Sequence, residues 1–390
     1  DHRDLHSFPT RRSSDLIKDG VMQLQSLVET VREQLSDPRR ISYGNIRHSL
    51  EAIVVIGLCT VICGGEGFEA MELIGKTRKT YFESFLELPN GIPSADTFRR
   101  VFGLIDPKGL SKCLVTWLAV ECAAGEIVAI DGKTIRGSAD ETHKALHVVS
   151  AFVADNQLTL GQLAVPEKTN EITAIPELLD IIDISETIVT ADAMACQKKI
   201  VEKICKKGGD YVIGLKGNQG EFHSDVALYF SEFAEKHPKH SQTEKGHGRV
   251  ECREYTLCTD IEWLGRTDKW KGLKAVGMVR SNVYHCKEGK ETQDIRYYIT
   301  SLTDVSAFAS AVRKHWSIEN QLHWSLDVIF KEDACLIRKD NAPLNMNVLR
   351  KTAMGLLNKS RTGKLTKKLM MLKASLDPIA MLDVLFQRKK

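Results

Sequence analysis

The sequence predicts an α+β / α/β protein. It has an all-helical N-terminal domain, then a mixed sheet with flanking helices and a β-rich insertion. Three observations carry this. Apolar residues recur at helical spacing through residues 21–124. The pattern changes at Gly125 to short β-branched runs alternating with amphipathic stretches, in the order β-β-β-α-β-α-β. Residues 246–300 then turn β-rich again.

In the first part, Leu24, Leu27, Val28, Val31 and Leu35 form one helical stripe, which Asp37-Pro38 ends. Residues 48–63 read as a buried helix stopped by Gly64-Gly65, and residues 68–86 as another. After the turn Pro89-Asn90-Gly91-Ile92-Pro93, Ser94 serves as N-cap for a helix through Thr97, Val101 and Leu104. Asp106-Pro107 ends that helix, and residues 110–123 form a further one. Such a module suits contact with DNA, and equally a small helical domain with no ligand.

In the second part, residues 126–131 form an apolar strand ending in a carboxylate. Residues 145–153 and 157–165 make a hairpin about Asp155-Asn156. A helix over 173–182 leads to the strand 187–192, again ending in Asp. An amphipathic helix over 195–207 stops at Gly208-Gly209, and residues 210–215 give a fifth strand. A helix over 220–236 precedes the β-rich stretch of about 246–300, with alternation in 249–258, 273–284 and 293–299. Residues 305–325 read as one helix, and the remainder as a basic helical tail. The expected division is 1–16, a polar leader that is non-native or disordered; 21–124, helical; 125–340, mixed sheet with insertion; and 341–390, the tail.

Composition is that of a globular chain, with 43% hydrophobic and 27% charged residues, which excludes wholesale disorder and fibres. The net charge of +3 hides an asymmetry: residues 338–390 hold 13 basic and 3 acidic side chains. A basic tail on an acidic body suits a polyanion partner, or a solvated helical face. The cysteines include no C-x-x-C, and Cys59 and Cys63 lie four apart in an apolar run, which suits buried thiols in a reducing cytoplasm. The longest apolar run, residues 52–63, is shorter than the roughly 20 residues of a membrane span, so no membrane segment is expected.

Asp131 and Asp192 each follow a β-branched run, which puts both at strand ends, where ligands of open α/β sheets gather. Neighbouring carboxylates repel unless a cation lies between them, and oxygen donors of this kind suit Mg²⁺ or Mn²⁺. Strand-terminal Asp also starts turns and caps helices. Glu319 is a third candidate, with His315 and His323 four residues to either side on one helical stripe. That stripe reads as a metal face, as phosphate contacts about one acidic ligand, or as a solvated surface; it lacks the zincin spacing.

Five segments in order resemble the DDE transposases of bacterial insertion sequences, and most nearly the group that includes the H-repeat-associated proteins. They are Ile130-Asp131-Gly132-Lys133-Thr134-Ile135-Arg136-Gly137, Glu167-Lys168-Thr169-Asn170-Glu171-Ile172, Thr190-Ala191-Asp192-Ala193-Met194, Leu215-Lys216-Gly217-Asn218-Gln219 and His315-Trp316-Ser317-Ile318-Glu319-Asn320. The resemblance runs from about Leu24 onward. It implies an RNase H-like catalytic domain with a β-rich insertion before the last acid, and a triad of Asp131, Asp192 and Glu319. Related transposases carry Tyr and Arg before this Glu and Lys seven residues after it; here those places hold Val312, His315 and Leu326. His315 then stands in for the Arg, and Lys331 or Arg338 for the Lys.

The resemblance implies an enzyme that cleaves the ends of its element and joins the 3′-OH to target DNA. The triad would hold two Mg²⁺ ions, or Mn²⁺ in their place, roughly 4 Å apart. The partners implied are double-stranded DNA, both element ends and target, and a second copy of the chain as homodimer. A metal-dependent nuclease of the same fold and an inactive DNA-binding remnant are the rival readings. Lys133, Arg136, Lys216, His315, His323, Lys331 and Arg338 are the candidate DNA contacts. Asn218 and Gln219 suit base edges or a helix cap, and Trp316 and Trp324 suit the core better than base stacking.

Overall fold

In a computed structural model of the chain, residues 13–40, 44, 46–120, 122–141, 144–166, 170–246, 248–265, 267–360 and 365–386 are described. Residues 1–12 of the expected leader, Glu167-Lys168-Thr169 of the second motif, and Arg361, Lys364, Arg388, Lys389 and Lys390 of the basic tail lie outside them.

Helix α1 (Ser13–Gln34) begins within the expected leader, and Leu24, Leu27, Val28 and Val31 form its buried stripe. Helix α2 (Leu50–Ile62) is capped by Ser49, whose hydroxyl accepts from the Ala52 amide, and is buried nearly all round. Cys59 and Cys63 are buried thiols there, and burial pushes Cys63 up to about 11. Where one helix is expected over 68–86 there are two, α3 (Phe68–Thr77) and α4 (Lys79–Glu83). The break falls at Arg78, whose guanidinium donates to the carbonyls of Ala374 and Ser375 at 2.8 and 2.6 Å. Helix α5 (Ala95–Leu104) is capped by Ser94 as expected. Asp106-Pro107 both ends α5 and starts α6 (Pro107–Trp117), with Asp106 as N-cap and Pro107 in the first turn.

Strands β1 (Ile127–Ile135), β2 (Leu146–Val153) and β3 (Leu158–Val165) form an antiparallel meander. Helix α7 (Glu171–Ile181), β4 (Ile188–Ala191), α8 (Lys198–Lys206) and β5 (Asp210–Leu215) follow, with β4 and β5 parallel to β1. After α9 (Glu221–Phe233), four strands run antiparallel: β6 (Lys239–Gly246), β7 (Arg249–Cys258), β8 (Ala275–His285) and β9 (Lys290–Thr300). Strand β9 pairs with β5, so the β-rich stretch extends one nine-stranded sheet, ordered β3-β2-β1-β4-β5-β9-β8-β7-β6. It begins at Lys239, earlier than the expected 246. The reason is composition: β6 reads Lys-His-Ser-Gln-Thr-Glu-Lys-Gly, an edge strand with no apolar face to betray it.

Helix α10 (Val305–His315) is followed by a π-helical turn, Ile318–His323, and by α11 (Trp324–Val328). The single expected helix is thus interrupted after His315 by the turn that holds Glu319. Helices α12 (Ala342–Lys359), α13 (Lys367–Leu376) and α14 (Pro378–Phe386) complete the chain.

Two units share these elements: the chain through Ala119 together with Leu326 onward, and Val120–Ser325. Residues 326–340 and the C-terminal helices therefore belong with α1–α6, where sequence division put the first with the sheet and the rest in a separate tail. Helix α12 explains it. Asn345, Asn347, Arg350 and Lys351 look like a solvated face in sequence, yet all are buried. Asn345 Nδ2 donates to the carbonyls of Phe102 and Ile105, and Asn347 Nδ2 and Arg350 both meet Glu332. Part of the basic excess is thus interior, paired charge.

In the second unit, period-two alternation sends side chains to both faces of the sheet. Val128, Ile130, Val189 and Ile213 join α7, α8 and α9 in one core. Ile127, Ile188, Val212, Tyr255 and Val279 join α10 in the other. Gly277 of β8 lies under Phe308 of α10, and a Cβ there would overlap the Phe308 ring. Phe308 is fully buried and has no room to withdraw. Gly277→Ala is therefore expected to cost about 1–3 kcal/mol by overpacking, read as a lower denaturation midpoint of this unit; an unchanged midpoint would refute the packing account.

Candidate nucleic-acid processing site

Asp131 is not at the end of β1, as its apolar run implies; the strand continues to Ile135. It stands where one ladder stops. The parallel pairing with β4 ends at Ile130↔Ala191, while the antiparallel pairing with β2 runs on from Asp131↔Ser150 to Ile135↔Leu146. The sheet opens beside Asp131, and Asp192, the residue after β4, borders the same opening. Alternation puts Asp131 on the face that α10 covers, and contact of β1 with the π turn brings Glu319 to that region.

Asp192 caps the short turn Ala193–Ala195, accepting from the amides of Met194 and Ala195 at 2.9 and 3.4 Å. Gly214 of β5 lets the Asp192–Ala193 backbone approach closely, since a Cβ there would sit 3.1 Å from the Ala193 nitrogen. Asn218 Nδ2 donates to the Ala193 carbonyl at 2.8 Å, and Gln219 Nε2 to the Cys196 carbonyl at 2.7 Å. Both side chains thus brace the turn that carries Asp192, and neither caps α9, whose N-cap is Gly220.

The carboxylates act on one another. Burial pushes the Asp131 carboxyl up to about 7, and repulsion from Glu171, Glu319 and Asp192 adds to this, against a bond from the Gly132 amide. Burial also raises Asp192, with Glu171 adding, while the Met194 and Ala195 amides and Lys216 pull it down. Hard oxygen donors whose like charges crowd one opening fit a divalent cation by chemistry. As the side chains stand, no three His, Cys, Asp or Glu among the described residues converge on one ion.

The structure divides the expected DNA contacts. Lys133, half-buried on β1, Arg136, exposed in the turn after it, and Lys216, exposed after β5, belong to the unit that carries the acids. His323 Nδ1 lies 3.7 Å from Asp131 Oδ2, so it faces the acid. His315 turns inward. Its Nδ1 meets Thr190 Oγ1 of β4 at 3.0 Å, and burial pushes its pKa down to about 4, which leaves it neutral and without the charge an Arg would offer a phosphate. Val312 and Leu326, at the other two departures, are buried in packing. Lys331 and Arg338 belong to the other unit, where Lys331 pairs with Glu66 at 2.7 Å. Trp324 is exposed, and the guanidinium of Arg296 lies over the Trp316 ring.

His315 sets a pH dependence. Its pKa is about 4 in the fold, against 6.5 for an ordinary imidazole. Above pH 6.5 neither state binds the proton; between 6.5 and 4 only the unfolded chain does. Its stabilising contribution is therefore whole above pH 6.5 and is lost as pH falls toward 4. His315→Asn, which can still bond Thr190, is expected to flatten the decline of the denaturation midpoint across that window; parallel declines would refute it.

The sequence pattern points to no role for His147 or Glu171. Glu171 opens α7, and its Oε1 lies 2.6 Å from His147 Nε2 of β2. No apolar strand points at Glu171; the available signals were Gly132 beside Asp131 and the motif containing Glu171.

Residues 31–118 match the DDE_Tnp_1-associated family, and residues 123–356 match the Transposase DDE domain. The chain is 39% identical over 371 residues to "H repeat-associated putative transposase YhhI" of Escherichia coli K12, covering 91% of this chain and 96% of that one. It is 39% identical over 349 residues to "Putative transposase YncI" of Escherichia coli O157:H7, covering 86% and 88%. It is also 32% identical over 80 residues to "Inactive transposase YbfQ" of Escherichia coli K12, covering 20% and 92%. The nine-stranded mixed sheet with helices on both faces agrees with the RNase H-like fold of such proteins, and the chain belongs to the DDE transposase family.

Proposed function

We propose that this chain cleaves DNA at the ends of its insertion sequence and joins the freed 3′-hydroxyl to target DNA, with Asp131, Asp192 and Glu319 as the catalytic acids. One observation carries the reading: two acids flank the point where the β1–β4 ladder opens, and a third arrives from the turn after α10. Asp131, Asp192 and Glu319 would hold two Mg²⁺ ions, or Mn²⁺, which when bound supply charge neutralisation and a more acidic attacking water or hydroxyl. Asp131 takes the central place because its strand borders the opening, and His323 faces it from the π turn. Asp192 presents its carboxylate from a turn already fixed by two amides and two side-chain amides. Lys133, Arg136 and Lys216 would contact phosphates beside the acids.

The partners in this reading are double-stranded DNA, as element ends and as target, and a second copy of the chain, since two ends are cut together. Work on chromosomal DNA places it in the cytoplasm. No helix of the described residues is long and apolar enough to cross a membrane. The test is a gel assay on labelled DNA carrying the element's own ends, with Mg²⁺, Mn²⁺ or chelator. Ion-dependent nicking at the boundary followed by joined products supports the reading. Nicking without joining favours a nuclease of the same fold, and a shifted band without cleavage favours a binding remnant.

A further inference from the structure

We propose that Glu171 supplies a fourth negative charge to the divalent-ion site of Asp131 and Asp192, and that His147 is the positioning residue that holds it there. The inference rests on the metal reading above and adds a residue to it.

Three geometric facts place the carboxylate. His147 Nε2 lies 2.6 Å from Glu171 Oε1, and its Nδ1 lies 3.0 Å from Thr134 Oγ1. Thr134 and His147 are cross-strand partners on β1 and β2, so the imidazole bolts the first residue of α7 to the strand that carries Asp131. Between them lies Gly132, where a Cβ would overlap both Glu171 Oε1 and His147 Nε2. Any side chain at 132 would push the carboxylate off the strand. The glycine next to Asp131 is there to admit it.

His147 meets Glu171 through Nε2 and Thr134 through Nδ1, so both ring nitrogens are engaged and the ring is fixed between α7 and β1. A structural clamp alone would explain the His147–Glu171 bond. It would not explain why the acid is led onto the backbone beside a catalytic carboxylate, where its repulsion reaches both Asp131 and Asp192. Charge that is unfavourable without an ion becomes favourable with one. The imidazole fixes the carboxylate, in the way outer-shell partners orient ligands.

The test reads ion binding rather than turnover. Mn²⁺ is titrated into the full chain without DNA, with free ion followed by electron paramagnetic resonance, for wild type, Glu171→Gln, His147→Gln and Asp192→Asn. Glu171→Gln is expected to weaken Mn²⁺ affinity about tenfold or more, with a smaller loss in His147→Gln. Wild-type affinity in Glu171→Gln, beside a clear loss in Asp192→Asn, overturns this inference and leaves the triad standing. Wild-type affinity in both overturns the inference and the metal reading together. Should Glu171→Gln not fold, Fe²⁺-directed backbone cleavage of the unaltered protein decides: cuts at Glu171 as well as near Asp131 and Asp192 support the proposal, and cuts confined to Asp131 and Asp192 overturn it.

Discussion

Asp192→Asn is expected to abolish strand cleavage, by on the order of 10³-fold or more, while leaving duplex binding intact. The separation of the two effects follows from the cap. Asn is as good an N-cap as Asp, and its side-chain oxygen can still accept from the Met194 and Ala195 amides. Asn218 and Gln219 continue to brace the turn through backbone carbonyls, which the substitution does not touch. The fold therefore survives and only the charge is lost. Loss of one negative charge beside a polyanion weakens no phosphate contact. The measurement is a cleavage time course and a gel shift on the same labelled ends. Cleavage at the wild-type rate would remove Asp192 from the chemistry, and loss of binding together with cleavage would make its role structural.

Arg350→Met is expected to destabilise the helical unit by about 3–5 kcal/mol. Arg350 and Glu332 are 3% and 0% exposed, with Nη1 and Oε1 3.5 Å apart, and Asn347 Nδ2 donates to the same oxygen at 2.7 Å. Removing the cation leaves a carboxylate deep in the unit with its opposite charge gone, so less of its desolvation is offset. Replacing both partners should cost less than removing one, because neither charge then has to be buried. The double variant Arg350→Met with Glu332→Leu should recover much of the loss. Denaturation followed by a probe in the helical unit checks this, since a chain of two units need not unfold in one step. A single variant as stable as wild type would show that the pair contributes nothing.

The legible parts of the fold were those in which burial writes a pattern. Strands β1, β4 and β5 are covered on both faces, so they read as continuous β-branched runs, and the first two led to Asp131 and Asp192. The stripe Leu24, Leu27, Val28, Val31 and Leu35 is buried as its spacing implies. Elements that bury polar groups, or bury little, gave no such pattern. Strand β6 pairs along one edge with mostly polar side chains. Helix α12 hides Arg350 and Lys351, which composition assigns to the surface. His315 lies on a periodic stripe, but spacing cannot tell an inward imidazole bonded to Thr190 from an outward one. Glu171 acquires its place through His147, 24 residues earlier, a relation that no local window contains.

The turn at Ile318–His323 makes the protein sensitive to length as well as to chemistry. Here the Trp324 amide reaches back five residues to the Glu319 carbonyl, where an ordinary helix reaches back four. Such a turn is an α-helix holding one residue too many. Deleting a single residue just after Glu319 would let the backbone close into a regular helix with its hydrogen bonds satisfied. Closing it with every residue kept would instead rotate everything on one side by about 100° relative to the other. Glu319 and His323, set by that rotation, would no longer face the same strand. The orientation of the third acid is thus encoded in residue count: a one-codon deletion in the π turn should leave the flanking helices in phase, whereas one in the regular helix α10 should turn Glu319 off the strand as thoroughly as a substitution would remove it.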